Sequence, residues 1–274
     1  MSPQPERLGR TEIRLDPPDG AARCGVRTTL VRSDPTATVL RAMVLEHTAD
    51  AARLALLPDG ALLLAGDAIE VDVHVGAGLR LDLIEPAGTV AFDMRGARAR
   101  WDVRVVLEAG AVLTWAGEPF VVAAGAEVER DISVQCGLGA RVAMRETLVL
   151  GRFGEGPGRL RQHTRVVDDD GPVLVEDLVL DAASAPLVLG GHRVLTSVLA
   201  GAVAVAVDET ETGGAGDPDR LELDVQGWTL WRRLGQEAHA AALPEPWRLV
   251  VEAVGGVDGR LEPHPLAGSG AGRP

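Results

Sequence analysis

Apolar and polar residues alternate most cleanly between positions 69 and 75. Ile69, Val71, Val73 and Val75 fall on one side of an extended chain, and Glu70, Asp72 and His74 on the other. That pattern predicts a strand with one buried and one wet face, the arrangement an antiparallel sheet provides. The same period of two returns at Leu79 to Leu83, Trp101 to Leu107, Val112 to Trp115, Val128 to Val134 and Arg141 to Val149. Upstream, Thr11 to Leu57 reads as strands, with the Ser33-Asp34-Pro35 turn between Thr28–Arg32 and Val39–Leu45. Glycine punctuates the series: turns centred on Gly78, Gly110, Gly125 and Gly139 each open onto a short alternating segment, the last three lying 15 and 14 residues apart. Such repetition predicts a stack of short strands that turns at glycines.

The pattern loosens after Leu150. A Gly/Pro loop at Gly154 to Gly158 precedes a hairpin with arms Arg159–Val167 and Val173–Leu180, turning at Asp168-Asp169-Asp170-Gly171-Pro172. Val194 to Val205 fits either a buried strand or a buried helix. Gly213 to Pro218 reads as a loop. Trp228 to Leu243 reads as a helix stopped by Pro244, with Leu230, Leu234, Ala238 and Ala241 on one face. The expected fold is all-β: an irregular β-helix-like stack of short strands with a small C-terminal helical element. Its expected organisation is a flexible N-terminus over 1–10, a single β-rich domain over 11–260 and a disordered tail over 261–274.

Composition narrows the picture. With 274 residues, 3% aromatics, no tyrosine and 33 glycines, the core must be filled by Val, Leu and Ala between tight turns. A net charge of -13 without a basic cluster argues against nucleic acid as a partner. Cys24 and Cys136 make neither a disulfide framework nor a thiolate metal site and point to a reducing cytoplasm. The longest apolar stretch, Val194 to Val207, is shorter than the roughly 20 residues of a membrane-spanning helix, so no membrane partner is expected.

Catalytic motifs are missing: there is no GxSxG elbow, phosphate-binding glycine loop, HExxH or histidine pair at metal spacing. Asp168 to Asp170 sits where a hairpin must turn, and Asp208-Glu209-Thr210-Glu211 reads as a solvated loop. The six histidines are scattered. Glu146 and Glu176 stand out because each interrupts a strongly apolar segment. Facing outward they are solvated or paired with an arginine such as Arg145, Arg152 or Arg161; facing inward they need a charge partner, water or a cation.

Several ordered segments resemble the urease accessory protein UreD family, called UreH in some organisms. They are Leu63-Leu64-Ala65-Gly66-Asp67, the turn at Val75 to Gly78, Gly110 to Trp115, Gly125-Ala126, Arg145-Glu146-Thr147-Leu148-Val149-Leu150-Gly151-Arg152, Gly158 to Arg161, Glu176 in its apolar arm, and Leu230 to Gly235. The resemblance spans roughly Pro58 to Val250. It departs at Glu85 to Arg95 and at Glu118 to Ala123, where family polar positions are replaced.

What the resemblance implies is a non-catalytic nickel metallochaperone that binds UreF and UreG, docks on apo-urease, and allows a dimer of such complexes. It implies no tightly bound cofactor, only transient Ni²⁺. Glu146 and Glu176 would line an internal polar passage, as ligands weak enough to release the ion. Two other classes remain at this point. A β-solenoid carbohydrate-active enzyme would use carboxylates such as Glu118 and Glu146 as acid and base. A metal-independent interaction scaffold would use exposed apolar strands.

Overall fold

The computed structural model describes residues 6–201 and 219–255. The predicted loop at Gly213 to Pro218, the acidic run at 208–211 and the tail from 261 lie outside the described residues. The strands are β1 (Arg7–Asp16), β2 (Gly25–Arg32), β3 (Leu40–His47), β4 (Ala51–Pro58), β5 (Asp67–Val75), β6 (Arg80–Ile84), β7 (Thr89–Ala91) and β8 (Ala99–Leu107). They continue as β9 (Val112–Val122), β10 (Glu127–Cys136), β11 (Arg141–Leu150), β12 (Arg159–Asp168), β13 (Gly171–Leu180), β14 (Val194–Gly201), β15 (Asp219–Glu222) and β16 (Thr229–Gly235). Two helices complete the described residues, α1 (Ala185–Val188) and α2 (Pro244–Val254).

The strands form two sheets. The first runs β13-β12-β10-β8-β5-β1-β2, and the second β15-β16-β14-β11-β9-β6-β4-β3 with β7 beside β9. From β4 to β12 the chain crosses back and forth between them, so β5, β8, β10 and β12 stack in parallel, as do β4, β6, β9 and β11. This is the β-helix-like stack expected from the repeats. Antiparallel strands finish both ends, β1 with β2 and β3 with β4 at one, β12 with β13 and β11 with β14 and β16 at the other.

The glycines explain the crossings. Gly78, Gly110 and Gly139 have φ of 69°, 67° and 66° and occupy the third position of turns closed by bonds such as Leu79 N–H to Gly76 O at 3.1 Å. Stacked corners are joined: Gly78 N–H donates to Ala109 O and Gly110 N–H to Leu138 O, each at 2.9 Å. Gly125 belongs to the opposite set of corners, where its carbonyl accepts from Met94 N–H.

Three expectations are corrected. The alternating Ile69–Val75 strand is parallel to both its neighbours, because consecutive strands go to opposite sheets and same-sheet neighbours lie one full coil apart. Its alternation survives because one face packs on the other sheet, while Glu70 on the outer face sits between Arg10 (2.5 Å) and Arg100 (3.1 Å). The expected helix over Trp228–Leu243 is instead β16, paired with β14, and the helix begins at the proline that was to end it. Proline lacks only an N–H that the first helical turn leaves unpaired anyway, so it starts helices well. The first strand begins at Arg7, inside the segment expected to be flexible.

The inward faces of both sheets form one continuous core that includes Leu15, Leu54, Val71, Leu83, Leu113, Val134 and Leu160. On the outer face of the second sheet, α2 buries Trp247, Val250, Val251 and Val254 against Ala116, Ala143, Val198 and Trp231. Gly255 ends that helix at φ 76°. Cys24 and Cys136 are buried free thiols, and burial pushes the Cys136 thiol up to about 12.

Candidate functional site

The core is interrupted between the two sheets, toward the β13/β16 end, by a cavity of about 100 Å³. Trp101, Val103, Trp115, Phe120, Ile132, Met144, Val166, Leu174 and Leu199 supply its apolar walls. Glu85, Glu118, Arg130, Arg145, Glu146, Gln162, Thr164, Glu176, Ser197 and Arg232 line it with polar groups.

Strand register gathers those groups. In the first sheet Arg130 of β10 stands opposite Gln162 of β12, and Thr164 opposite Glu176 of β13, all on inward positions. In the second, Glu146 of β11, Ser197 of β14 and Arg232 of β16 lie in one row. The two predicted glutamates thus come from opposite sheets and line the same cavity.

Each has an arginine, and neither arginine is one that neighbouring sequence suggested. Arg130 donates to Glu146 at 2.5 Å and to Gln162 Oε1 at 2.7 Å, while Gln162 Nε2 donates back to Glu146 at 2.8 Å. The Arg130 side chain is only 7% exposed, and its guanidinium lies 4.3 Å from the centroid of the Phe120 ring. Glu176 accepts from Arg232 at 2.6 Å, a pair that ties β13 of one sheet to β16 of the other. Arg232 also donates to Ser197 Oγ. Of the arginines first considered for Glu146, Arg145 pairs with Glu118 and Arg152 with Glu155.

Glu85, which the sequence did not single out, holds the most perturbed carboxyl of the cavity. The residue as a whole is half-buried, but its carboxyl group is enclosed by protein and accepts from the Trp115 indole at 2.8 Å and the Glu118 amide at 3.3 Å. Burial pushes it up to about 7, against the lowering effect of those two donors and of Arg130; Glu146 adds a smaller upward push. Arg130 and Gln162 also escape the sequence reading, although both stand on apolar parity, in Val128-x-Arg130-x-Ile132 and Leu160-x-Gln162-x-Thr164. A charged residue on the buried side of an alternating strand is the signal that finds them.

Chemically, the cavity offers four carboxyl groups countered by three arginines. Among the described residues no group of three or more His, Cys, Asp and Glu side chains is placed to hold a metal ion. No helix among them is long and apolar enough to cross a membrane.

Comparison with known proteins identifies the family. The family described as UreD urease accessory protein matches residues 12–256. The chain belongs to the UreD family. A protein named urease accessory protein UreD 1 from Streptomyces griseus subsp. griseus is 44% identical over 209 residues, covering 73% of this chain and 78% of that protein. Another of the same name from Saccharopolyspora erythraea is 37% identical over 173 residues, 61% of this chain and 68% of that protein. A UreD protein of Frankia casuarinae is 34% identical over 203 residues, 69% of this chain and 62% of that protein. Membership in UreD makes the chain an accessory protein with a role in urease maturation, not an enzyme. Glu118 and Glu146 are therefore not the acid and base of a glycosidase.

Proposed function

We propose that this UreD chain is a cytoplasmic scaffold that binds UreF, UreG and apo-urease, and that its inter-sheet cavity is a stretch of the route by which Ni²⁺ reaches the urease active site. The observation that carries this reading is the convergence of Glu146 and Glu176, from opposite sheets, on one partly open cavity with apolar walls and a cluster of polar groups. Nickel is cargo here, and the chemistry suits transit. Carboxylates that must leave an arginine to bind a divalent ion hold it weakly and release it, whereas thiolate or imidazole cages would retain it. Each Arg–Glu pair gives the carboxylate somewhere to return once the ion has moved on.

The test is co-expression of the urease gene cluster with Glu146→Gln, Glu176→Gln or both. Nickel per urease active site and the amount of accessory complex recovered are measured together. The reading expects complex recovery to stay near normal while nickel content falls, most in the double variant. Full nickel loading of urease by the double variant would sink it.

A further inference from the structure

The two sheets end unevenly beyond the cavity. Glu176 of β13 reaches Arg232 of β16 across the gap at 2.6 Å, so these strands face each other, but the second sheet continues one strand further, to β15. Leu221 of β15 stands beside Leu230 in the ladder and points to the same side. Leu230 is 4% exposed and Leu221 45%, because the first sheet stops at β13 and does not reach over it. A shelf one strand wide therefore runs along the edge of β13, with Leu221 on its floor.

The wall of that shelf is an unpaired strand edge. The Val179 carbonyl accepts from Ser184 Oγ at 2.8 Å, so it points away from β12. Antiparallel pairing turns the N–H and C=O of one residue to the same side and alternates along the strand, which directs both groups of Val175 and Asp177 away from β12 as well. Such groups are a template for another strand. On the outer face the register sets Arg165 beside Val175 and Arg161 beside Val179, with His163 bonded to Asp177 between them. Val175 is 54% exposed. Both arginines are exposed and, among the described residues, neither is in an ion pair. An arginine side chain is long enough to cross the neighbouring valine and meet a carboxylate on the next strand position.

We propose that the β13 edge is a docking site for an extended segment of a partner protein, added to the first sheet as a further strand, with carboxylates opposite Val175 and Val179 and apolar side chains on the alternate positions over Leu221. Arg165 and Arg161 select the two carboxylates, and Asp177 repels a third between them. The inference rests on the scaffold half of the proposed function and is independent of nickel transit.

The probe is a labelled peptide whose centre runs glutamate, valine, threonine, valine, glutamate, a pattern that reads the same in both directions. It should bind the wild-type chain saturably and slow amide exchange at Val175 and Asp177. Val175→Pro removes an N–H that the ladder does not use, so its urea denaturation should match wild type while its peptide affinity falls about tenfold, the loss expected for a hydrogen bond or two. Arg165→Glu should weaken binding by a similar factor, and Arg165→Lys by much less. Arg104→Glu makes the same change of charge on β8, three strands away, and should bind as wild type does. No saturable binding, equal affinity for wild type, Val175→Pro and Arg165→Glu, or amides at 175 and 177 already protected in the chain alone, by a second copy or by its own residues, overturns the proposal. The variants are then co-expressed with the urease cluster. Recovery of UreF, UreG or apo-urease should fall about tenfold for one of them with Val175→Pro. Full recovery of all three with Val175→Pro removes the edge as an interface and leaves the scaffold reading standing, whereas no recovery even with wild type removes the scaffold reading and the partner of the edge with it.

Discussion

Replacing Glu85 by glutamine tests whether the cavity carboxyl is as enclosed as its contacts imply. A carboxyl moved from 4.5 to about 7 on folding costs roughly 3 kcal/mol of stability once it is ionised, and roughly 2 kcal/mol after allowing for partial solvent access. The sign follows from proton binding. Below pH 4.5 both folded and unfolded chains hold the proton, and the group contributes nothing. Between 4.5 and about 7 the unfolded chain ionises first, so stability falls as pH rises; above about 7 the full penalty is present. The glutamine side chain of the Glu85→Gln variant has no proton to lose. It keeps an acceptor for the Trp115 indole while meeting the Glu118 amide less well, a fixed offset of about 1 kcal/mol. The observable is therefore the change with pH. Urea denaturation of both proteins at about pH 5, 6, 7 and 8 should show the variant gaining roughly 1.5–2.5 kcal/mol on the wild type between the ends of the series. Parallel stability curves would mean that the carboxyl is hydrated and that the burial argument fails.

Further expectations concern the scaffold. Arg130→Met leaves Glu146 with only Gln162 and should cost about 2–3 kcal/mol in chemical denaturation, part of it recovered when Glu146→Leu is added; strict additivity of the two changes would argue against coupling. Gly78→Ala and Gly125→Ala both place a side chain at positive φ, but an added Cβ meets nothing at 78 and lies 2.4 Å from Asp93 Oδ1 at 125. The first should lower stability by about 1 kcal/mol and the second by clearly more, as read by thermal melting. Trp247→Ala removes the anchor of α2 and should cost about 3–5 kcal/mol. Hydrogen exchange should then rise in residues 244–254 more than in β8 or β10, and uniform protection would contradict the packing.

How much of this was legible beforehand varies by element. Alternation and glycine spacing carried β5, β6 and β8 to β13, because a half-buried strand must alternate and a corner at positive φ favours glycine. The β16 segment misled because Leu230, Leu234, Ala238 and Ala241 also satisfy a helical period; pairing with β14 decides the matter, and that partner is distant in sequence. Glu146 and Glu176 were visible as acids in apolar runs. Their partners were not, since Arg130 is 16 residues from Glu146 and Arg232 is 56 from Glu176.

The order of amino acids is enough to establish a glycine-cornered stack of aliphatic strands with the segments of the UreD family, because backbone freedom and side-chain parity are local properties read residue by residue. Folding in three dimensions adds that strands alternate between two sheets and that opposing rows bring Glu146, Glu176, Glu85 and three arginines around one cavity. It adds too that the register slips by one residue beside Arg145, turning Phe120 and Val122 rather than their neighbours into the core. Those outcomes depend on which strand lies beside which. The sheet-to-sheet distance and the ladder register set that, and neither is written in any single segment of the chain.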